Sequence, residues 1–445
     1  MIFTQFVDEA LGCASYLVGD ESTGQAVVVD PAYAIEQYLE EAERRGVRLV
    51  RAIETHTHAD HVSGHGRLAL EHGLPVSIHP LARAEYPNDP MEDGDEISLG
   101  EVVLRCVHTP GHRPEHCVLV VVDGSRASEP WVVLTGDSLF VGDVARPDLA
   151  VDAREGAEGL FHSLRRLVEL DDGVEVYPGH VAGSLCGKAM SSKASTTIGF
   201  ERRFNPALAS SDLVSFVAES AAISAPRPPN MDKIVELNRG PFLGAQPAPG
   251  ELPVPPDGAQ VLDVRPIEGF SRGHLAGAIN VPLSGTRFST KAAFVLDPEL
   301  PLVVAAADET EAIDAARSLR SVGLLNIAGY VLGGGSETLE LVAVDELDEL
   351  LRDGAELIDV REKDERDSGY IAGSRNIPYR LLALGAADLP TDRPLVTICE
   401  SGPRAAIAAS ILAALGYDAR AVAEGGIDAW ASSGKPTVEF RRCGS

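Results

Sequence analysis

One segment occurs twice in the C-terminal half of this 445-residue chain, and that repeat restricts the fold more than any other feature. Val261-Leu262-Asp263-Val264-Arg265 returns as Leu357-Ile358-Asp359-Val360-Arg361. Gly273-His274-Leu275-Ala276-Gly277-Ala278-Ile279-Asn280-Val281-Pro282 returns as Gly369-Tyr370-Ile371-Ala372-Gly373-Ser374-Arg375-Asn376-Ile377-Pro378. Pro301–Val304 and Pro394–Thr397 correspond, as do Gly333-Gly334 and Gly425-Gly426. An offset of about 95 residues is too long for a solenoid unit and suits a small domain. Each copy alternates apolar strand-like runs with helical stretches, so two homologous α/β domains are expected, over residues 250–340 and 342–440.

The region before the repeat has a different composition. Eleven of the twelve histidines lie between His56 and His180. Buried strands are expected at residues 26–31, 49–53, 102–107, 117–122, 131–134 and 174–177, and an amphipathic helix over 33–45 with Ile35, Tyr38, Leu39 and Ala42 on one face. This reads as a layered α/β domain over residues 1–240. The proline-dense stretch from Pro226 to Pro256 reads as a semi-rigid linker, with the main boundary near residue 245.

A net charge of −29 argues against general binding to nucleic acid or an anionic membrane, so an anionic substrate needs local basic residues. No run approaches the ~20 apolar residues of a membrane span. Residues Met1–Phe6 lack the basic start of a secretory leader, and the six cysteines are scattered without a CxxC pair. A reducing cytoplasm is expected.

The strongest chemical signal is Thr55-His56-Thr57-His58-Ala59-Asp60-His61, directly after an expected strand. His112, Asp137 and His180 each follow another strand, in His108-Thr109-Pro110-Gly111-His112, Thr135-Gly136-Asp137 and Tyr177-Pro178-Gly179-His180. Such residues can converge on one sheet edge, and imidazoles with carboxylates suit zinc, iron or manganese. His65, His72, His79 and His162 read as ordinary core or surface histidines. Cys13, Cys106, Cys117 and Cys443 read as structural or incidental.

This constellation resembles the metallo-β-lactamase fold, an αββα sandwich, whose members mostly bind two zinc ions and hydrolyse esters, thioesters or lactams. Residue types alone fit that chemistry and a mononuclear iron site equally. The run Leu134-Thr135-Gly136-Asp137-Ser138-Leu139-Phe140 to Ala145-Arg146-Pro147-Asp148-Leu149 is similar to the persulfide dioxygenase branch. That resemblance implies one Fe(II) per chain on a two-His-one-Asp triad, here His56, His112 and Asp137. His58, Asp60, His61 and His180 would then orient the ligands or, in the alternative, complete a two-zinc site. Arg146 matches the family's substrate-holding arginine, with a salt bridge to Asp148 as the plain alternative. The stretch after His180 resembles the corresponding loop of persulfide dioxygenase–rhodanese fusions. It offers an anionic thiol Lys188, Lys193, Arg202 and Arg203, and Cys186 as a sulfur acceptor, against ordinary surface charge and a loop cysteine.

The second strong signal is Cys399-Glu400-Ser401-Gly402-Pro403-Arg404, between the strand 395–398 and an Ala-rich helix over 405–415. A cysteine there sits among backbone N–H groups aimed at an anion, and Arg404 adds positive charge. The segment resembles a rhodanese domain, and its C-x4-R loop is one residue shorter than that of related phosphatases, which favours sulfur transfer. In the first copy Ala306 stands for Cys399 and Glu311 for Arg404, so that copy is read as a degenerate spacer.

The resemblances together imply a fusion that oxidises the sulfane sulfur of a low-molecular-weight thiol persulfide with O2 to sulfite, while Cys399 carries sulfur to or from thiosulfate in sulfide detoxification. A homo-oligomer without nucleic-acid or membrane partners is expected. Two alternatives stay open: a two-zinc glyoxalase-II-like thioester hydrolase fused to a sulfurtransferase, and a non-catalytic sulfur relay or sensor.

Overall fold

The computed structural model describes residues 1–181, 191, 193–210, 212–222 and 226–439. Compact packing divides the chain into two units, Met1–Gln246 with Arg320–Gly323, and the remainder from Pro247 onward.

The first unit is an αββα sandwich. One six-stranded sheet runs in chain order through Ile2–Asp8, Cys13–Asp20, Gln25–Val29, Arg48–Ile53, Val76–Ile78 and Asp89–Pro90. The other has the order Thr196–Thr197, Glu175–Pro178, Val132–Gly136, Cys117–Asp123, Val102–His108, Glu96–Ser98. The central strands of both sheets bury both faces, which is why Gln25–Val29, Cys117–Asp123 and Val132–Gly136 are nearly continuous apolar runs. Val27 and Val29 pack between the sheets with Leu104, Leu119 and Leu134. Ala26 and Val28, on the opposite pleat, pack outward against Ile35, Tyr38 and Ala42. Val118 and Val120 likewise face Leu160 and Leu164 of the helix Ala153–Leu167. Each buried Val, Leu or Ile among them stabilises the fold by roughly 1.5–3 kcal/mol, so a register slip in either sheet is expensive.

The helix expected over 33–45 starts later than its periodicity predicts, and the next helix begins only after the HxHxDH loop; at both places side chains hold the strand-end loop. The first spans Glu36–Arg45, because Ala32 N–H is held by the Tyr38 hydroxyl at 2.7 Å and Pro31 O accepts Gly64 N–H. The second spans His65–His72, because Ser63 is bound through its N–H to Asn238 Oδ1 and through its hydroxyl to Glu54.

The second unit holds both repeats, each built on an all-parallel sheet with equivalent strand order. The first copy runs Ile279–Asn280, Gln260–Asp263, Leu302–Ala306, Ile327–Leu332; the second runs Arg375–Asn376, Glu356–Asp359, Leu395–Ile398, Ala419–Ala421, with Glu340–Leu341 added at its edge. The repeated residues carry the same structural work in both. Arg265 pairs with buried Asp263 and donates to Gly273 O, and Arg361 pairs with Asp359 and donates to Gly369 O. Asn280 Nδ2 donates to the carbonyls of Asp263 and Arg265, and Asn376 Nδ2 to those of Asp359 and Arg361, all at 2.9 Å. The Asp-Val-Arg and Asn-x-Pro signatures are therefore fold determinants.

Among the described residues, no helix is long and apolar enough to cross a membrane.

Candidate functional site

Four strand ends of the first unit deliver His56, His112, Asp137 and His180 to one place, and all four side chains are buried. Asp137 Oδ2 lies 3.6 Å from His112 Nε2 and 4.0 Å from His56 Nε2, and among the described residues it has no hydrogen-bond partner. Donor atoms of these three residues are close enough to share one ion.

The surrounding bonds decide which imidazole nitrogens are free. Thr55 Oγ1 donates its single proton to Asp30 Oδ2 at 2.8 Å, while Asp30 Oδ1 accepts Thr55 N–H at 2.7 Å. Thr55 Oγ1 is therefore an acceptor toward His56 Nδ1, 2.9 Å away. His112 Nδ1 meets the carbonyl of Arg146 at 3.1 Å, which can only accept. Both rings thus carry the proton on Nδ1 and turn a bare Nε2 toward Asp137 Oδ2. Burial first, then the neighbouring histidines His58, His112 and His116, hold His56 well below the usual imidazole pKa. Burial also lowers His112. Two neutral imidazoles and one orphaned carboxylate oxygen fit a divalent metal ion of borderline or hard character.

His180 is different. Its Nδ1 donates to Asp137 Oδ1 and its Nε2 to Asp60 Oδ2, both at 2.7 Å. Burial opposes its charge, but the two flanking carboxylates, Asp137 ahead of Asp60, push its pKa up to about 10. His58 Nε2 lies 3.1 Å from Glu54 Oε2 and 3.3 Å from Asp30 Oδ1. His61 Nδ1 lies 3.2 Å from Asp60 Oδ1. His58, Asp60 and His61 form a second group of closely spaced donors, and Asp30, Glu54 and His58 a third.

Three contributors escape a reading based on the HxHxDH motif. Asp30 and Glu54 each lie one residue beyond a buried strand, the same placement that singles out the ligands, and Asp30 has a left-handed backbone (φ 50°). His116 Nε2 accepts Asp137 N–H at 2.9 Å and so sets that carboxylate's backbone. Gly136 (φ +46°) makes this possible, since a Cβ there would sit 2.7 Å from His116 Nε2.

The remaining basic residues are engaged otherwise. Arg146 is buried and makes the salt bridge to Asp148 through two bonds of 2.7 and 2.8 Å, with a third to Pro226 O. Arg202 pairs with Asp172 and also donates to the carbonyls of Val168 and Leu170, and Arg203 pairs with Asp172 too. These guanidiniums, expected to serve an anionic thiol, tie down the chain around Asp172 instead. Lys193 is exposed. Cys186 and Lys188 lie outside the described residues, as does Cys443. Cys13, Cys106 and Cys117 are buried free thiols. His65 is a core histidine facing Glu54, and His79 stacks on His108.

In the second unit Cys399 follows the central strand and is buried. Gly402 N–H donates to its Sγ at 3.1 Å. The loop carbonyls of Cys399, Glu400 and Ser401 accept the N–H groups of Ile427, Asp428 and Gly425, which turns them away from the thiol. Gly402 (φ +120°) is obligatory, because a Cβ would fall 1.8 Å from Ala423 O. Arg404 forms a two-pronged pair with Glu365 at 2.7 Å. Burial works against its charge, but Glu365 more than offsets that and holds its pKa above the usual value. Strand register aligns the copies directly: Asp359 pairs with Ile398 and Asp263 with Ala305, so Ala306 occupies the Cys399 position. There Glu311 accepts Ala307 N–H at 2.6 Å, and an internal carboxylate covers the amide an anion would need.

Residues 8–180 match the family described as the Metallo-beta-lactamase superfamily, and residues 252–339 and 343–433 each match the Rhodanese-like domain. The chain is 32% identical over 227 residues to the protein named Persulfide dioxygenase ETHE1, mitochondrial, of Bos taurus, spanning 50% of this chain and 82% of that one. It is 32% identical over 236 residues to the Homo sapiens protein of that name, spanning 52% and 85%. Among solved structures it is similar to a metallo-beta-lactamase from Staphylococcus aureus subsp. aureus COL, with TM-score 0.69, 29% identity, and coverage of 75% of this chain and 99% of that chain.

Proposed function

The chain belongs to the metallo-β-lactamase superfamily, as a persulfide dioxygenase-like domain joined to two rhodanese-like domains, and from that premise we propose that it couples persulfide oxidation to sulfur transfer. The first unit converts a low-molecular-weight thiol persulfide, O2 and water into the free thiol, sulfite and two protons. His56, His112 and Asp137 would hold one Fe(II), which supplies the redox chemistry between O2 and the sulfane sulfur. The observation that carries this reading is the pair of bare Nε2 atoms facing the orphaned Asp137 Oδ2. His180 fixes the Asp137 carboxylate and His116 its backbone N–H, Asp30 and Thr55 fix the His56 ring, and the Arg146 carbonyl fixes His112.

Cys399 serves as the sulfur carrier. In one direction sulfite attacks the outer sulfur of a Cys399 persulfide, giving thiosulfate and returning the electron pair to the thiolate. One chain holding both activities keeps the carrier near newly formed sulfite at high effective concentration. The setting we propose is cytoplasmic sulfide detoxification by a homo-oligomer.

The test is O2 uptake by iron-loaded protein with persulfides of glutathione, coenzyme A, bacillithiol and mycothiol, with sulfite and thiosulfate quantified. His112→Ala should abolish uptake, and Cys399→Ser should spare uptake while ending thiosulfate formation. No uptake with any persulfide would refute the dioxygenase half.

The second donor group, His58, Asp60 and His61, favours one competing reading, a two-zinc thioester hydrolase. Two metal ions per chain and O2-independent thioester cleavage would establish it. The double engagement of His180 by Asp60 and Asp137 supports the mononuclear reading.

A further inference from the structure

The Cys399 loop has neighbours from the other copy. Within the second unit, buried Asn280 of the first copy donates its N–H to Ser410 Oγ of the second at 2.9 Å. The helix Pro403–Ala414, which begins at the cysteine loop, packs on the strand Ile279–Asn280. Beyond that strand the first copy forms the short helix Phe288–Ala293, anchored by fully buried Phe288, Ser289 and Ala292. Phe294, at its end, meets Tyr379 of the second copy edge-on, with ring centroids 6.2 Å apart.

This helix carries two cations on one face, Arg287 at its N-cap and Lys291 four residues on. Lys291 is half-buried, and its ammonium feels Arg287, Arg404 and Cys399 together. Burial and the two guanidiniums push its pKa below the usual amine value. Arg287, exposed and held in the left-handed region at φ 55°, feels Tyr379 and Arg404. Neither side chain has a hydrogen bond or ion pair among the described residues. Two mutually repelling cations, unpaired among the described residues, thus stand on a helix whose Lys291 is within electrostatic reach of a nucleophile, in a chain of net charge −29. Such clusters are stabilised by an anion. The repeat offset of 96 residues, counted from Val261 to Leu357, places Ala383 and Ala387 at the corresponding positions of the second copy, so the cations belong to the copy that lacks a cysteine.

We propose that the degenerate copy is part of the sulfur-transfer site: Arg287 and Lys291 bind the sulfonate end of thiosulfate, or sulfite itself, while Cys399 acts on the outer sulfur. This rests on the sulfur-transfer half of the function proposed above and replaces the reading of the first copy as a spacer. In the forward step the Cys399 thiolate attacks the sulfane sulfur of thiosulfate. A Cys–S–S bond forms, the bond to the sulfonate sulfur breaks, and its electron pair leaves with sulfite. The cations stabilise the departing dianion, and no outside oxidant or reductant is required.

The test separates binding from turnover. Thiosulfate is titrated calorimetrically into full-length Cys399→Ser protein, in which transfer is blocked, and into the same protein carrying Lys291→Met, Arg287→Gln or Lys291→Arg. Kd should rise about tenfold for each of the first two and stay near the parent value for Lys291→Arg. In chains that retain Cys399, Lys291→Met should lower kcat/KM for thiosulfate about tenfold, and at least threefold more than it lowers transfer from an uncharged trisulfide. Undetectable thiosulfate binding to the parent, or a Kd insensitive to both neutralisations, overturns the proposal. So does an equal loss with thiosulfate and the uncharged donor, or an equal loss in Lys291→Met and Lys291→Arg, which marks a purely structural role. If the Cys399 chain transfers no sulfur but the titrations still show Lys291-dependent binding, the sulfur-transfer reading fails and the anion site stands.

Discussion

Replacing Asp30 by asparagine perturbs a residue outside the proposed metal ligands, yet the bonding around it predicts a change at the metal. Asp30 accepts Thr55 N–H at 2.7 Å and the Thr55 hydroxyl at 2.8 Å. An amide has one oxygen for these two donors. If its oxygen keeps Thr55 N–H, its NH2 faces Thr55 Oγ1, and the hydroxyl proton must turn to His56 Nδ1. The His56 proton then moves to Nε2, the atom meant for the metal. Exchanging a charge-assisted bond for a neutral one in this buried place costs about 1–2 kcal/mol of stability. Metal binding must then undo the wrong tautomer, so affinity should fall about 10- to 100-fold, or about 1.4–2.8 kcal/mol. Competition with a metal chelator measures the affinity, and nitrogen NMR of the His56 ring reads the tautomer. Thr55→Val removes the hydroxyl link alone and should lower affinity to a similar degree. Affinity within threefold of the parent in Asp30→Asn, with the His56 proton still on Nδ1, would refute the reasoning.

In metal-free protein His180 has a folded-state pKa near 10, against about 6.5 unfolded. Its stabilisation is complete below about pH 6.5 and is lost as pH climbs through 10. The thermal midpoint should therefore drop over that window, and less steeply in His180→Asn; equal slopes would exclude His180 as the cause. Gly402→Ala places a Cβ against Ala423 O, so the loop must shift and Gly402 N–H must leave Cys399. Sulfur transfer should fall about 100-fold with persulfide-dependent O2 uptake intact, and normal transfer would show that the loop tolerates the shift. Ala306→Cys in a Cys399→Ser background should acquire no persulfide from thiosulfate by mass spectrometry, because Glu311 covers Ala307 N–H. A persulfide there would mean that the thiol alone suffices.

Much of this molecule is written in short-range order. The repeated Asp-Val-Arg segments mark equivalent strand ends because each Asp–Arg pair closes its own loop two residues on. His56, His112, Asp137 and His180 could be gathered in advance because a residue just past a buried strand emerges at the sheet edge, and strand positions follow from local apolar runs. Cys399 is recognisable in the same way, between a strand and a helix. Other assignments depend on which way a side chain turns. Arg146 suits a substrate by position, yet it spends its guanidinium on Asp148 and Pro226. Arg202 and Arg203 are a basic pair in sequence and partners of Asp172 in space.

What the sequence determined by itself is therefore the set of local units: the doubly buried strands, the repeat, the metal-type residues at strand ends, and the cysteine loop with its altered twin. Tertiary structure alone decided their electrostatics. Asp30 reaches His56 only through Thr55, which lies on the neighbouring strand's end, and His116 reaches Asp137 across 21 residues of chain. Lys291 comes within electrostatic reach of Cys399 through the packing of one copy on the other, over more than a hundred residues of chain. Protonation and charge pairing depend on distance through space, and periodicity along the chain fixes neighbours only within an element or its turn.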